Sequence, residues 1–103
     1  MDNSTARVRK IRSTIQAERA LISALTGRLT DPKAKALVKP ASDLLTFAEL
    51  GFLDQKILQA PRSPAALSGW LAQAEKFLRL AVEHREYVEG LASKLGPDMK
   101  VFP

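Results

Sequence analysis

Two side chains capable of acid/base chemistry interrupt otherwise apolar seams. Glu18 falls within the series Val8, Ile11, Ile15, Ile22, Leu25, Leu29. His84 falls within Trp70, Ala74, Phe77, Ala81, Val88, Leu91, Leu95. If the two met, the carboxylate would hold an imidazolium and raise its pKa, giving an acid/base unit or a pH switch. The same pair would equally serve as a polar contact that fixes register between two helices. In a third arrangement each side chain reaches the bundle edge and meets water. A one-residue shift of the seam would turn Arg85 inward in place of His84.

The densest cationic cluster is Arg7, Arg9, Lys10 and Arg12. Around a helix these four cover most of the face away from Val8 and Ile11. They make a solvated face or a surface for phosphates, and phosphate binding would weaken steeply with salt. Aromatic interleaving for stacking on single strands is missing there, because every aromatic lies at Phe47 or later. A metal site fails on ligand supply: there is one histidine, no cysteine, and Glu83 and His84 are adjacent and so diverge on a helix. No glycine-rich phosphate loop or nucleophile elbow is present. The reading is therefore of no cofactor and no catalytic set.

The elements that position these residues are helices. Ser63-Pro64 is a cap followed by proline at the first helical position, and Gly96-Pro97 is a stop signal. Between them lies a helix about 48 Å long at 1.5 Å per residue. Leu67, Leu71, Leu78 and Ala92 widen its stripe. The first helix starts among Asn3, Ser4 and Thr5 and keeps a four-and-three seam over three heptads, the pattern of near-parallel or antiparallel bundle packing. Asp31-Pro32 starts a second arm carrying Leu37 and Val38. Pro40 must then kink or break it, with Ser42 or Asp43 as a fresh cap for a helix through Leu58. Met99, Val101 and Phe102 are placed to pack back onto the bundle. No period-two run suggests a strand. The expected fold is all-α: a three-arm antiparallel bundle of three to four helices, its second arm broken near Pro40.

Length and composition fit one domain over residues 1–103. A charged fraction of 26% and the lack of any long apolar run argue against a membrane-embedded chain. The absence of cysteine and of an apolar signal core points to the cytoplasm. The net charge of +5 is uneven: residues 1–40 hold nine Lys/Arg against three acidic residues, whereas the remainder is nearly balanced. That asymmetry hints at an acidic partner, nucleic acid included.

Two partial resemblances bear on function. Residues 47–55 resemble the turn of arabinose-regulator-type helix-turn-helix domains, but the spacing from Ala48 to Gly51 is one residue short. The helix that should read the groove would be brief and would stop at Pro61. The helical arms are also similar to those of the small helical chorismate mutases, with Arg12, Arg28 and Lys39 at suggestive places. Asp31-Pro32 interrupts what that family keeps as one long helix, and its acid-x-x-Arg-acid pattern is absent. Neither function is carried over.

The sequence thus reads as a small helical interaction module of the adaptor, chaperone or accessory type. Its partner is another copy or another helical protein, met through the last helix by Trp70, Leu71, Phe77, Leu78 and Val88. The alternative is a nucleic-acid accessory protein using Arg7, Arg9, Lys10 and Arg12. A third reading is an enzyme binding an anionic ligand near Glu18, Arg28 and His84.

Overall fold

Proline and capping residues divide the chain into its helices. The computed structural model describes residues 4–96. In it α1 spans Ser4–Arg28, α2 Pro32–Ala36, α3 Lys39–Phe52, α4 Gln55–Leu58 and α5 Pro64–Leu95. The described residues contain no strand, and the fold is an all-α bundle. The expected packing of Met99, Val101 and Phe102 lies outside them.

The boundaries follow local chemistry. Asp31 Oδ1 accepts from the Lys33 N–H at 2.7 Å, with Pro32 in the first turn of α2. Ser63 Oγ accepts from the Ala66 N–H at 3.0 Å, with Pro64 opening α5. Each cap satisfies an N–H that the first helical turn leaves unpaired. Gly96 ends α5 at φ 87°, a left-handed conformation that glycine takes without a Cβ penalty, and its N–H donates to the Ala92 carbonyl.

The second arm is more broken than the sequence suggests. Pro40 sits in the first turn of α3, where its missing N–H does no harm. Leu37 and Val38 keep right-handed helical backbone (ψ −22° at both), so the arm kinks between α2 and α3. The cap expected at Ser42 or Asp43 is not used, because α3 already begins at Lys39. Bonds to the third residue back carry the chain through the kink, from Leu37 to Ala34, Val38 to Lys35 and Ala41 to Val38. A second interruption falls at Leu53-Asp54, where a continuous helix was expected. Asp54 Oδ1 accepts from the Lys56 N–H at 3.0 Å and starts α4, a short side chain competing with the helix for a backbone donor.

One core joins the three arms. Ile11, Ile15, Ile22, Leu25 and Leu29 come from the first arm, Ala34, Val38, Ala41, Leu45, Ala48 and Leu53 from the second, and Leu71, Ala74, Leu78, Ala81 and Val88 from α5. Fully buried alanines on both helices, Ala41 and Ala48 against Ala74 and Ala81, let α3 and α5 approach closely, and theirs is the most extensive helix contact. Leu45 is fully buried, and truncating such a leucine to alanine costs about 2–5 kcal/mol.

The seam of α5 runs through Leu71, Ala74, Leu78, Ala81, Arg85 and Val88. The expected seam shared its alanines and Val88 but placed Trp70, Phe77 and His84 innermost. Those three are half-buried instead. The cause is that α5 touches both α1 and α3, so its buried centreline lies between the two contacts. Side chains on one flank then meet α3 and those on the other meet α1. The pairs Arg7–Glu75, Glu18–Arg85 and Arg28–Glu89 rise together, so α1 and α5 run in the same sense. Phe52–Trp70 and Phe47–Phe77 run oppositely, as antiparallel helices require. The body measures 51 × 21 × 17 Å, elongated for its length.

Candidate functional site

Glu18 does not meet His84. Its Oε2 accepts from Arg85 Nε at 2.7 Å, and both residues are buried. Arg85 Nη1 also reaches Glu89 at 2.9 Å, and Arg28 lies 3.8 Å from the same Glu89 carboxylate. The Glu18 hydrogen bond raises the Arg85 pKa, with Glu89 adding to it, so this guanidinium is charged at any working pH. The expected Glu18–His84 pair fails because the α5 seam is turned by one residue, which brings Arg85 inward toward α1.

His84 faces the second arm, where its Nε2 lies 2.7 Å from the Leu37 carbonyl. A carbonyl only accepts, so Nε2 carries the proton. Two further side chains do the same for the other break. Trp70 Nε1 donates to the Phe52 carbonyl at 3.0 Å, and Arg12 Nη2 donates to the Leu53 carbonyl at 2.6 Å. Carbonyls at helix ends lack a partner within the helix, and here the neighbouring arms provide one. His84 and Trp70 thus act as structural donors. Glu18, Arg28 and His84 are not brought around one cavity: Arg28 and Glu89 flank a shallow groove of about 250 Å³, and His84 faces the other side of α5.

The basic cluster is divided. Arg7 forms a two-pronged pair with Glu75 and donates to Ser68 Oγ at 2.9 Å. That hydrogen bonding raises the Arg7 pKa and lowers that of Glu75. Arg12 is held at Leu53, while Arg9 and Lys10 are exposed; the Arg9 side chain has no hydrogen bond or ion pair among the described residues, and the Lys10 charge helps to lower the Glu75 pKa. Arg9 and Arg12 line an open groove of about 580 Å³ between α1, the end of α4 and the first turn of α5.

The expected interface residues also separate. Leu71, Leu78 and Val88 are buried in the core and are unavailable to a partner, because α1 and α3 together cover the centreline of α5. Trp70 and Phe77 remain half-buried in an aromatic row: Phe52–Trp70 at 5.0 Å, Phe52–Phe77 at 5.5 Å and Phe47–Phe77 at 5.7 Å between ring centres. The row ends in open surface. Phe47 is 64% exposed, Leu50 60%, Tyr87 63% and Leu80 39%. Sequence reasoning missed these four. The usable signal was that Phe47 and Leu50 are large apolar residues outside the inward series of the second arm.

Comparison with protein-family models, with curated proteins and with solved structures finds no match to this chain. The functional reading rests on geometry. No helix among the described residues is long and apolar enough to cross a membrane.

Proposed function

We propose that this chain is a small helical interaction module that self-associates, its partner a second copy met along the outer edge of α3 and α5. The observation that carries this reading is the exposed apolar surface of Phe47 on α3 and Leu80 and Tyr87 on α5, with half-buried Phe77 packed against Phe47. Aromatic side chains bury large areas and dominate interface energetics, so leaving Phe47 and Tyr87 open suits a surface that another molecule covers.

Charge placement favours a second copy as that molecule. Lys76, Leu80, Glu83 and Tyr87 follow steps of four, three and four, which places them on one stripe of α5. Lys76 and Glu83 are exposed and have no hydrogen bond or ion pair among the described residues. They flank Leu80 by four and three residues. In a two-fold antiparallel pairing centred near Leu80, Lys76 of each copy meets Glu83 of the other, as an isologous interface demands. Ion pairs at such a rim fix register more than affinity, and apolar contact supplies the rest.

Sedimentation equilibrium tests the proposal. The chain should be a dimer. Lys76→Glu should weaken it about tenfold by placing like charges together twice, and Lys76→Glu combined with Glu83→Lys should restore it. Leu80→Glu should give monomers. A chain that is monomeric at every concentration reached, or a double variant no better than the single one, overturns the reading.

A further inference from the structure

The groove along the N-terminal half of α1 differs chemically from the rest of the surface. Val8, Leu58 and Leu67, all partly buried, give it an apolar lining, and Arg9, Arg12 and Ser13 line it from α1. Its volume of about 580 Å³ is that of a small-molecule site. Arg9 and Arg12 are three residues apart and so neighbour each other on one side of the helix.

Among the described residues, no carboxylate lines this groove. The contrast with Arg7 on the same helix is direct, since the chain itself neutralises Arg7 with Glu75. Arg12 is anchored by one nitrogen on the Leu53 carbonyl, which leaves the hydrogens of Nε and Nη1 unbonded among the described residues. Arg9 has no partner there. A fixed guanidinium beside an uncommitted one is a preorganised receptor for an oxyanion. Apolar side chains next to it favour a ligand with a body as well as a charge.

We propose that this groove binds a small organic anion, an oxyanion head carrying a short aliphatic or aromatic body. The head lies between Arg9 and Arg12, and the body covers Val8, Leu58 and Leu67. This site uses none of the residues of the self-association edge and stands or falls separately from it.

The test is a titration of the ¹⁵N-labelled full chain followed by amide chemical shifts. Octanoate should give saturable shifts at residues 8–13 and 58–67, and inorganic phosphate, which lacks a body, should bind at least about tenfold more weakly. Arg9→Gln and Leu58→Gln should each weaken octanoate about tenfold with the dispersed spectrum retained, whereas Arg79→Gln on α5 should leave it unchanged. Octanoate acting without effect from anionic phospholipid vesicles identifies a free molecule. The same residues responding to both identify a lipid headgroup. Failure of octanoate to saturate, or equal binding of octanoate and phosphate, overturns the proposal. So does binding of a mixed-sequence DNA duplex that octanoate does not displace from Arg9, which would make this a backbone-phosphate surface.

Discussion

His84 Nε2 stands 2.7 Å from the carbonyl of Leu37, across the interface between α5 and the kink of the second arm. The kink creates the need for that bond. Pro40 has no N–H for the Ala36 carbonyl, and the Ala41 N–H turns to Val38 at 3.1 Å, which leaves Leu37 outside the helical ladder. Replacing His84 with alanine should cost about 1–3 kcal/mol, the penalty of stranding a partly buried acceptor. Pro40→Ala would let residue 40 donate to Ala36 and draw the arm toward a regular helix. The two changes should therefore couple in a double-mutant cycle of urea unfolding, with His84→Ala costing less in the Pro40→Ala background.

Trp70 makes the corresponding bond at the other break, and its contribution divides into packing and hydrogen bonding. Trp70→Phe keeps a ring against Phe52 but strands the Phe52 carbonyl, and should cost about 1–2 kcal/mol. Trp70→Ala removes both and should cost about 3–5 kcal/mol. Since Trp70 is the sole tryptophan, its intrinsic fluorescence reports unfolding of the wild-type chain, and circular dichroism serves for the variants.

The first helix was largely legible: Ile11, Ile15, Glu18, Ile22, Leu25 and Leu29 occupy the buried seam that their spacing predicts, while Val8, expected to open that seam, is only partly buried. So were the caps at Asp31 and Ser63, because a cap acts within four residues of itself. The candidate site was not. A stripe as broad as that of α5 fits more than one centreline, and which one is buried depends on where α1 and α3 come to rest. That difference of one residue exchanges His84 for Arg85 as the partner of Glu18. The broken second arm was half legible. Pro40 announced one interruption, while the break at Leu53-Asp54 rests on an aspartate whose competing hydrogen bond is weak as a sequence signal.

Gly90 lies inside α5 with open space around the position a Cβ would take. Alanine there should raise stability by about 0.5–1 kcal/mol, because glycine loses more backbone freedom on entering a helix. Thermal unfolding checks this, and a lowered midpoint would show that the position is constrained by something outside the monomer.

Glu75 gives the fold a dependence on acid. Its pKa is lowered from 4.5, first by the hydrogen bond from Arg7. A carboxylate depressed in the folded state contributes stability above its unfolded pKa and loses that contribution as pH falls through the lower folded value. Stability should therefore decline on acidification below about pH 4.5, the ordinary range of glutamate. Glu75 is 39% exposed, so water screens the pair and its share is small, about 0.2–1 kcal/mol. Glu75→Gln should flatten that part of the pH profile and leave the neutral-pH melting temperature only slightly lower.

The buried pair should behave differently from that surface one. Among the described residues Glu18 relies on Arg85 alone, while Arg85 also holds Glu89. Arg85→Met strands a buried carboxylate and should cost about 3–5 kcal/mol, whereas Glu18→Leu leaves Arg85 a second anion and should cost less. The double variant Glu18→Leu/Arg85→Met exchanges an ion pair for apolar packing against Ile15, Ile22 and Ala81. Since desolvating two charges offsets most of their attraction, its stability should return to within about 1 kcal/mol of wild type or exceed it. Urea unfolding of the three variants decides the matter. Equal losses for the two single changes would mean that Glu89 does not support Arg85, and an additive double loss would mean that the pair is held by packing that leucine and methionine cannot reproduce.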